Sequence, residues 1–153
     1  MVEVGQKAPD FTLSDTQKNE TKLSSFQGQN VVLFFFPKAF TGTCERQISA
    51  HHHEIAKFRA LDAQVLGVST DQSPAQAAFI KACGVDSFPV LSDFRHQVIN
   101  LYGIARAEGQ IPNERATFIL DKSGTLRYKH VEPDSSKWAG VEPELKVLEE
   151  LTR

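Results

Sequence analysis

The sequence predicts an α/β domain with a central mixed β-sheet flanked by helices. Val31 to Phe36 is an apolar run without polar alternation, as expected of a strand covered on both faces. Strand-like and helix-like segments then alternate, which calls for parallel pairing through helical crossovers. The last third reads as a hairpin followed by a helix, so antiparallel strands join the parallel ones.

Taken in order, Phe11-Thr12-Leu13 and Lys22-Leu23 are short strands on either side of the polar turn Ser14 to Glu20, an N-terminal β-extension. Pro37 stops the buried strand Val31–Phe36, since it has no N–H to give a neighbour. A helix is predicted from Thr43 to about Asp62, with Ile48, Ile55, Phe58 and Leu61 near one stripe. Gln64 to Ser69 is the second buried strand. Ser73-Pro74 opens the next helix as cap and first residue, and Cys83-Gly84 closes it. Phe88 to Leu91 is a short strand, and Arg95 to Tyr102 a helix ending at Gly103. Thr117–Leu120 and Thr125–Val131 form a hairpin around Asp121-Lys122-Ser123-Gly124, and Pro143 to Leu151 is the last helix. No repeat or linker divides the chain, so residues 1–153 read as one domain.

Composition narrows the function. With 17 basic and 19 acidic residues the net charge is −2, which gives no reason to expect nucleic acid or an anionic membrane as partner. The longest apolar run is far short of the ~20 residues needed to span a bilayer. The N-terminal segment has no apolar signal stretch, so a cytoplasmic location is expected. Two cysteines, Cys44 and Cys83, make neither a disulfide scaffold nor a four-ligand zinc site. In a reducing compartment they are either inert core residues or redox groups. His51-His52-His53 fits no metal site, because consecutive helix residues lie ~100° apart and Ile55 occupies the i+4 position. A surface or partly packed run is expected there. No phosphate-binding loop or nucleophile elbow is present. No cofactor is implied.

The informative stretch is Phe36-Pro37-Lys38-Ala39-Phe40-Thr41-Gly42-Thr43-Cys44, which puts a cysteine in the first turn of a helix. Free cysteine titrates near ~8.5 and is mostly thiol at neutral pH. The unpaired N–H groups of a helix start, with one cation, favour the thiolate. The bland alternatives are a buried apolar cysteine, a threonine that merely caps a helix and an arginine that is a solvated charge.

Pro37-x-x-x-Thr41-x-x-Cys44 resembles the active-site signature of the peroxiredoxins, thiol peroxidases on the thioredoxin fold. Gly5-x-x-Ala8-Pro9-x-Phe11, Val68-Ser69-x-Asp71, Phe88-Pro89-x-Leu91-Ser92-Asp93, Tyr102-Gly103 and Arg115-Ala116-Thr117-Phe118-Ile119-Leu120-Asp121 follow in the family's order over roughly residues 5 to 131. The pattern is most similar to the AhpE-like group. The resemblance implies a thioredoxin-like fold with Cys44 as the thiolate that attacks a hydroperoxide and becomes a sulfenic acid. It implies that Thr41 points its hydroxyl at the sulfur and the incoming oxygen. Arg115 holds thiolate and peroxide, Pro37 shields the sulfur, and Gln47 stands where the family bonds the arginine.

Reduction of the sulfenic acid is where the family varies. Position 49 is Ser49, which excludes a resolving cysteine on the same helix, and no cysteine follows Cys83. Cys83 has two readings: a resolving cysteine that forms an intramolecular disulfide with Cys44, or a helix-end residue without redox part, as in one-cysteine members. The first requires the two Cα atoms to come within about 7 Å, so residues 41–48 and 80–86 must unfold locally. The implied partners are a hydroperoxide substrate and, as reductant, thioredoxin, a glutaredoxin-like protein or a low-molecular-weight thiol. A homodimer near the active-site loop, with Phe40 exposed, stands against a monomer with Phe40 in the pocket wall. Dithiol exchange wants Cys-x-x-Cys, and Thr41 stands where its first sulfur belongs. A non-enzymatic peroxide sensor is the remaining alternative.

Overall fold

A computed structural model describes residues 2–107 and 109–152. Met1, Glu108 and Arg153, which the one-domain reading includes, lie outside the described residues. The elements run β1 (Thr12–Asp15), β2 (Glu20–Lys22), a 3₁₀ turn (Leu23–Phe26), β3 (Asn30–Phe35), α1 (Gly42–His53), α2 (Ile55–Ala60) and β4 (Ala63–Ser69). They continue with α3 (Ser73–Cys83), β5 (Val90–Ser92), α4 (Gln97–Leu101), β6 (Ala116–Leu120), β7 (Leu126–Val131) and α5 (Glu142–Leu151). The strands form one mixed sheet in the order β2-β1-β5-β4-β3-β6-β7. Parallel pairs β3–β4 and β4–β5 sit at its centre; β6 joins β3, and β1 joins β5, in antiparallel sense.

Strand β3 shows why both faces are apolar. Its side chains alternate across the sheet with period two. Val31, Leu33 and Phe35 enter one core with Leu66, Phe118 and Tyr102, while Val32, Phe34 and Phe36 enter the other with Cys44, Ile48 and Phe58. All six β3 residues are buried. The second core lies under α1, α2, α3 and α5, and so the cysteine-bearing helix is seated on the sheet's most apolar strand.

Several boundaries differ from expectation, each for a physical reason. The segment from Thr43 to Asp62 is two helices, broken at Glu54 (φ −99°, ψ 13°). Three-residue steps between Ile55, Phe58 and Leu61 rotate a straight helical stripe by about 60° each, and the break re-aims it so that Phe58 is fully buried. Gln72, not Ser73, caps α3, whereas Gly84 closes it in the left-handed conformation (φ 70°). His96 is also left-handed (φ 60°), which delays α4 to Gln97. The buried Asp93 carboxylate accepts the N–H groups of Val98 (3.1 Å) and Ile99 (2.8 Å) at that helix start. Phe11 precedes β1 and packs edge-on against Tyr102.

Candidate active site

The site is assembled where β3 runs out. Phe36 still donates to Val68 O (3.0 Å), and then Pro37 breaks the ladder and the chain turns outward. Phe40 takes a left-handed conformation (φ 63°), and Ala39 donates its N–H to Asp71 Oδ2 (2.8 Å). Asp71 also accepts the Ser69 hydroxyl, so a carboxylate just beyond β4 ties down the loop that delivers the cysteine. Thr41 caps α1 in extended conformation, its carbonyl accepting the N–H of Glu45 (2.9 Å). Cys44 therefore lies in the first turn, where backbone N–H groups have no helical carbonyl to meet.

Arg115 arrives from the other side. The pairing Phe35↔Ala116 sets it beside the end of β3, level with the loop. It is 3% exposed. Nη1 donates to Cys44 Sγ (3.3 Å) and to Gln47 Oε1 (2.7 Å), while Nε donates to Ser135 O (3.0 Å). The Cys44 sulfur has no exposed surface, and one side of it is the aromatic core. Its other side is the guanidinium, a fixed positive charge that does not titrate away. Cys44 is thus buried, but beside a cation rather than in hydrocarbon alone.

A cleft of about 290 Å³ opens next to it, with Pro37, Thr41, Gly42, Ile111, Arg115 and Ser135 among its lining residues. Pro37, Thr41 and Arg115 therefore meet at one cleft, directly over the Cys44 turn. The Thr41 hydroxyl differs from expectation: it donates to Lys38 O (2.9 Å) and not to the sulfur, which leaves its oxygen as an acceptor. Phe40 does not line the cleft; it is 55% exposed and leans on Phe79 (5.3 Å between centroids).

Cys83 stands apart from this constellation, half-buried at the end of α3. Burial pushes its thiol up, and the Glu45 carboxylate adds to that, against the lowering effect of the Ser49 hydroxyl. Its neighbours Glu45 and Ser49 both belong to α1, so Cys83 faces the helix of Cys44 while keeping its own proton.

Three features escaped the sequence reading. The Ser135 and Ser136 carbonyls, which accept from Arg115 and from the Thr43 hydroxyl (2.9 Å), carry no side-chain signal at all. Asp71 stood in a matched motif without a role. The histidine run is partly packed as expected, with His52 half-buried and His53 exposed, but the full burial of His51, with Nε2 2.7 Å from Glu144 Oε1, was not foreseen. Among the described residues no cluster of His, Cys, Asp or Glu is arranged to hold a metal ion. No helix there is long and apolar enough to cross a membrane.

A thioredoxin-like sheet with a cysteine at a helix start and an arginine against its sulfur defines a thiol-dependent peroxidase of the peroxiredoxin class. Residues 4–129 match the AhpC/TSA family, and the chain belongs to it. It is 36% identical over 131 residues to alkyl hydroperoxide reductase E of Mycobacterium tuberculosis, covering 84% of each chain. It is 37% identical over 134 residues to peroxiredoxin-1 of Gekko japonicus, covering 81% of this chain and 67% of that one. The crystal structure of peroxidoxin BcpB from Mycobacterium tuberculosis superposes with a TM-score of 0.88 at 27% identity, covering 99% of both chains.

Proposed function

We propose that the chain works as one domain that reduces hydrogen peroxide and small organic hydroperoxides at Cys44. The observation that carries this reading is the 3.3 Å contact between Arg115 Nη1 and Cys44 Sγ at the edge of the cleft. The thiolate attacks one peroxide oxygen as the O–O bond breaks. Sulfur keeps that oxygen as a sulfenic acid, and the other leaves as hydroxide or alkoxide and takes up a proton to become water or an alcohol. Charge moves from sulfur to the leaving oxygen within reach of the guanidinium and the helix N–H groups, which stabilise it. Thr41, its hydroxyl hydrogen committed to Lys38 O, accepts from the protonated oxygen of the peroxide. Pro37 forms the wall that keeps water from the sulfur.

Cys83 is the resolving cysteine in this proposal. After the first turn of α1 and the end of α3 unfold, the Cys83 thiol gives up its proton and the thiolate attacks the sulfenic sulfur; the S–S bond forms as the S–O bond breaks, and the departing hydroxide takes up a proton to leave as water. The place of Cys83 at the end of α3, next to Glu45 and Ser49 of the helix that carries Cys44, supports that route, and local unfolding would relieve the burial that raises its thiol. Peroxiredoxins are reduced by thiol partners; for this chain we propose thioredoxin, a glutaredoxin-like protein or a low-molecular-weight thiol, acting in the cytoplasm. The exposed Phe40 beside the site supports a homodimer.

Peroxide consumption by wild type, Cys44→Ser and Cys83→Ser, with dithiothreitol and then with thioredoxin, tests the reading. Cys44→Ser is expected to be inert with both. Cys83→Ser is expected to work with dithiothreitol and fail with thioredoxin. One equivalent consumed and then arrest, with every reductant, replaces catalysis by sensing. A lasting sulfenic acid at Cys44 beside a free Cys83, seen by non-reducing mass spectrometry, removes the resolving role.

A further inference from the structure

One turn beyond Gln47 on α1, His51 and Glu144 form a buried pair to which the chemistry above assigns nothing. His51 has no exposed surface and Glu144 is 2% exposed. The imidazole stacks on Phe34 (4.2 Å between centroids, 5° between planes) and is walled by Phe58, Phe88 and Trp138. Nδ1 lies 2.7 Å from the Gln47 carbonyl oxygen and Nε2 lies 2.7 Å from Glu144 Oε1. A carbonyl only accepts, so Nδ1 carries a proton. A second proton then sits between Nε2 and the carboxyl group, giving imidazolium on carboxylate or imidazole on carboxylic acid. Either way the pair is neutral as a whole and both ring nitrogens are bonded, which is what makes its burial tolerable.

Gln47 links this pair to the sulfur. Its backbone carbonyl takes His51, and its side-chain Oε1 takes Arg115 Nη1 (2.7 Å). Its Nε2 is buried and has no partner among the described residues, where the amide is held by the one hydrogen bond to Arg115. A single neutral acceptor does not by itself hold the rotation of a whole helix; a second polar tie one turn further along the same face of α1 does so beside the packing of Ile48. The His51–Glu144 bond supplies that tie, running from α1 to α5 through the aromatic core. Trp138, against the same imidazole, belongs to the segment whose Ser135 carbonyl accepts Arg115 Nε.

We propose that His51 and Glu144 are positioning residues for peroxide reduction: together they fix the rotation of α1 so that Gln47 holds the Arg115 guanidinium against the Cys44 sulfur. The proposal rests on the peroxidase reading, and its test separates the two. Two rates are measured at one pH: oxidation of Cys44 by hydrogen peroxide, and alkylation of Cys44 by iodoacetamide, followed on the Cys44 peptide by mass spectrometry. Glu144→Asp withdraws the carboxylate by one methylene. Glu144→Gln keeps a bond, since its amide N–H can donate to Nε2 of a neutral ring. His51→Asn keeps a donor to Gln47 O but does not reach Glu144.

Glu144→Asp and His51→Asn are expected to slow both rates about tenfold, less than the ~100-fold that a full 1 Å misplacement can cost. Glu144→Gln is expected to stay within about twofold of wild type, and in a Gln47→Ala background Glu144→Asp is expected to add nothing. Circular dichroism verifies each fold, and either slowed variant suffices if the other does not fold. The proposal is overturned if both match wild type, if Glu144→Gln loses as much as they do, or if the Glu144→Asp loss is undiminished beside Gln47→Ala. A wild type inert toward peroxide removes the peroxidase reading alone, because the alkylation series still decides whether the pair positions the site.

Discussion

Arg115→Lys isolates geometry from charge. In the native site three acceptors, Ser135 O, Gln47 Oε1 and Cys44 Sγ, are met by Nε and Nη1 of one rigid plane. A lysine ammonium is a point charge on a flexible stem and cannot meet all three from one place. At 3.3 Å and an effective dielectric of ~20, a full positive charge on Nη1 would attract a thiolate by roughly 5 kcal/mol, an upper figure because guanidinium charge is delocalised. Lysine keeps part of that attraction and forfeits the aligned bond, worth about 1.5–3 kcal/mol when one partner is charged. At 1.36 kcal/mol per factor of ten, the single-turnover rate with hydrogen peroxide is expected to fall about 100-fold. The sole tryptophan, Trp138, lies three residues beyond Ser135 and provides a stopped-flow fluorescence signal. The unpaired acceptors also lower stability, so rates are compared well below each melting transition. A Lys variant within threefold of wild type would refute the claim that the fork, and not charge alone, activates the sulfur.

Two further predictions concern the frame. Gly67 has no side chain because a Cβ there would lie 2.9 Å from Phe34 Cζ, on the ring that stacks with His51. Gly67→Ala should cost about 1–3 kcal/mol by overpacking, read as a lower urea midpoint, and an unchanged midpoint would mean that the ring yields freely. Asp121 is raised by partial burial but lowered more by hydrogen bonds from Ser123, Arg127 and Thr125, and ends at about 2. Its folded value is depressed, so its stabilisation is complete above the unfolded value and is lost as pH falls from about 4 through about 2, amounting to about 1 kcal/mol after solvent screening. Asp121→Asn should therefore be less stable than wild type at pH 7 and approach it as pH falls below about 2; a gap independent of pH contradicts the assignment.

The sheet was legible because its signals are local. An apolar run without alternation, Gly84 at a helix end and the turn Asp121–Gly124 each declare themselves within a few residues. The Cys44 motif was legible for the same reason: loop, cap and first helical turn are contiguous in the chain. The break at Glu54 was hidden, because a stripe drifting by three-residue steps reads as one helix until the core decides which residue is buried. Thr41 was placed by its spacing, but whether its hydroxyl meets Lys38 or the sulfur depends on the path of the loop.

By itself, then, the sequence determined the order of the elements, the apolar strand beneath the site and the cysteine at a helix start, since these depend on neighbours along the chain. Which cation meets the sulfur was named only by the family resemblance, since no local pattern marks it, and it is the tertiary structure that brings it there. Arg115 lies 71 positions from Cys44 and reaches it through the pairing of β3 with β6. His51 and Glu144, 93 positions apart, meet only because α5 packs across α1. Composition and period carry no record of such contacts, because the free energy of burying a charge depends on the partner that folding delivers to it.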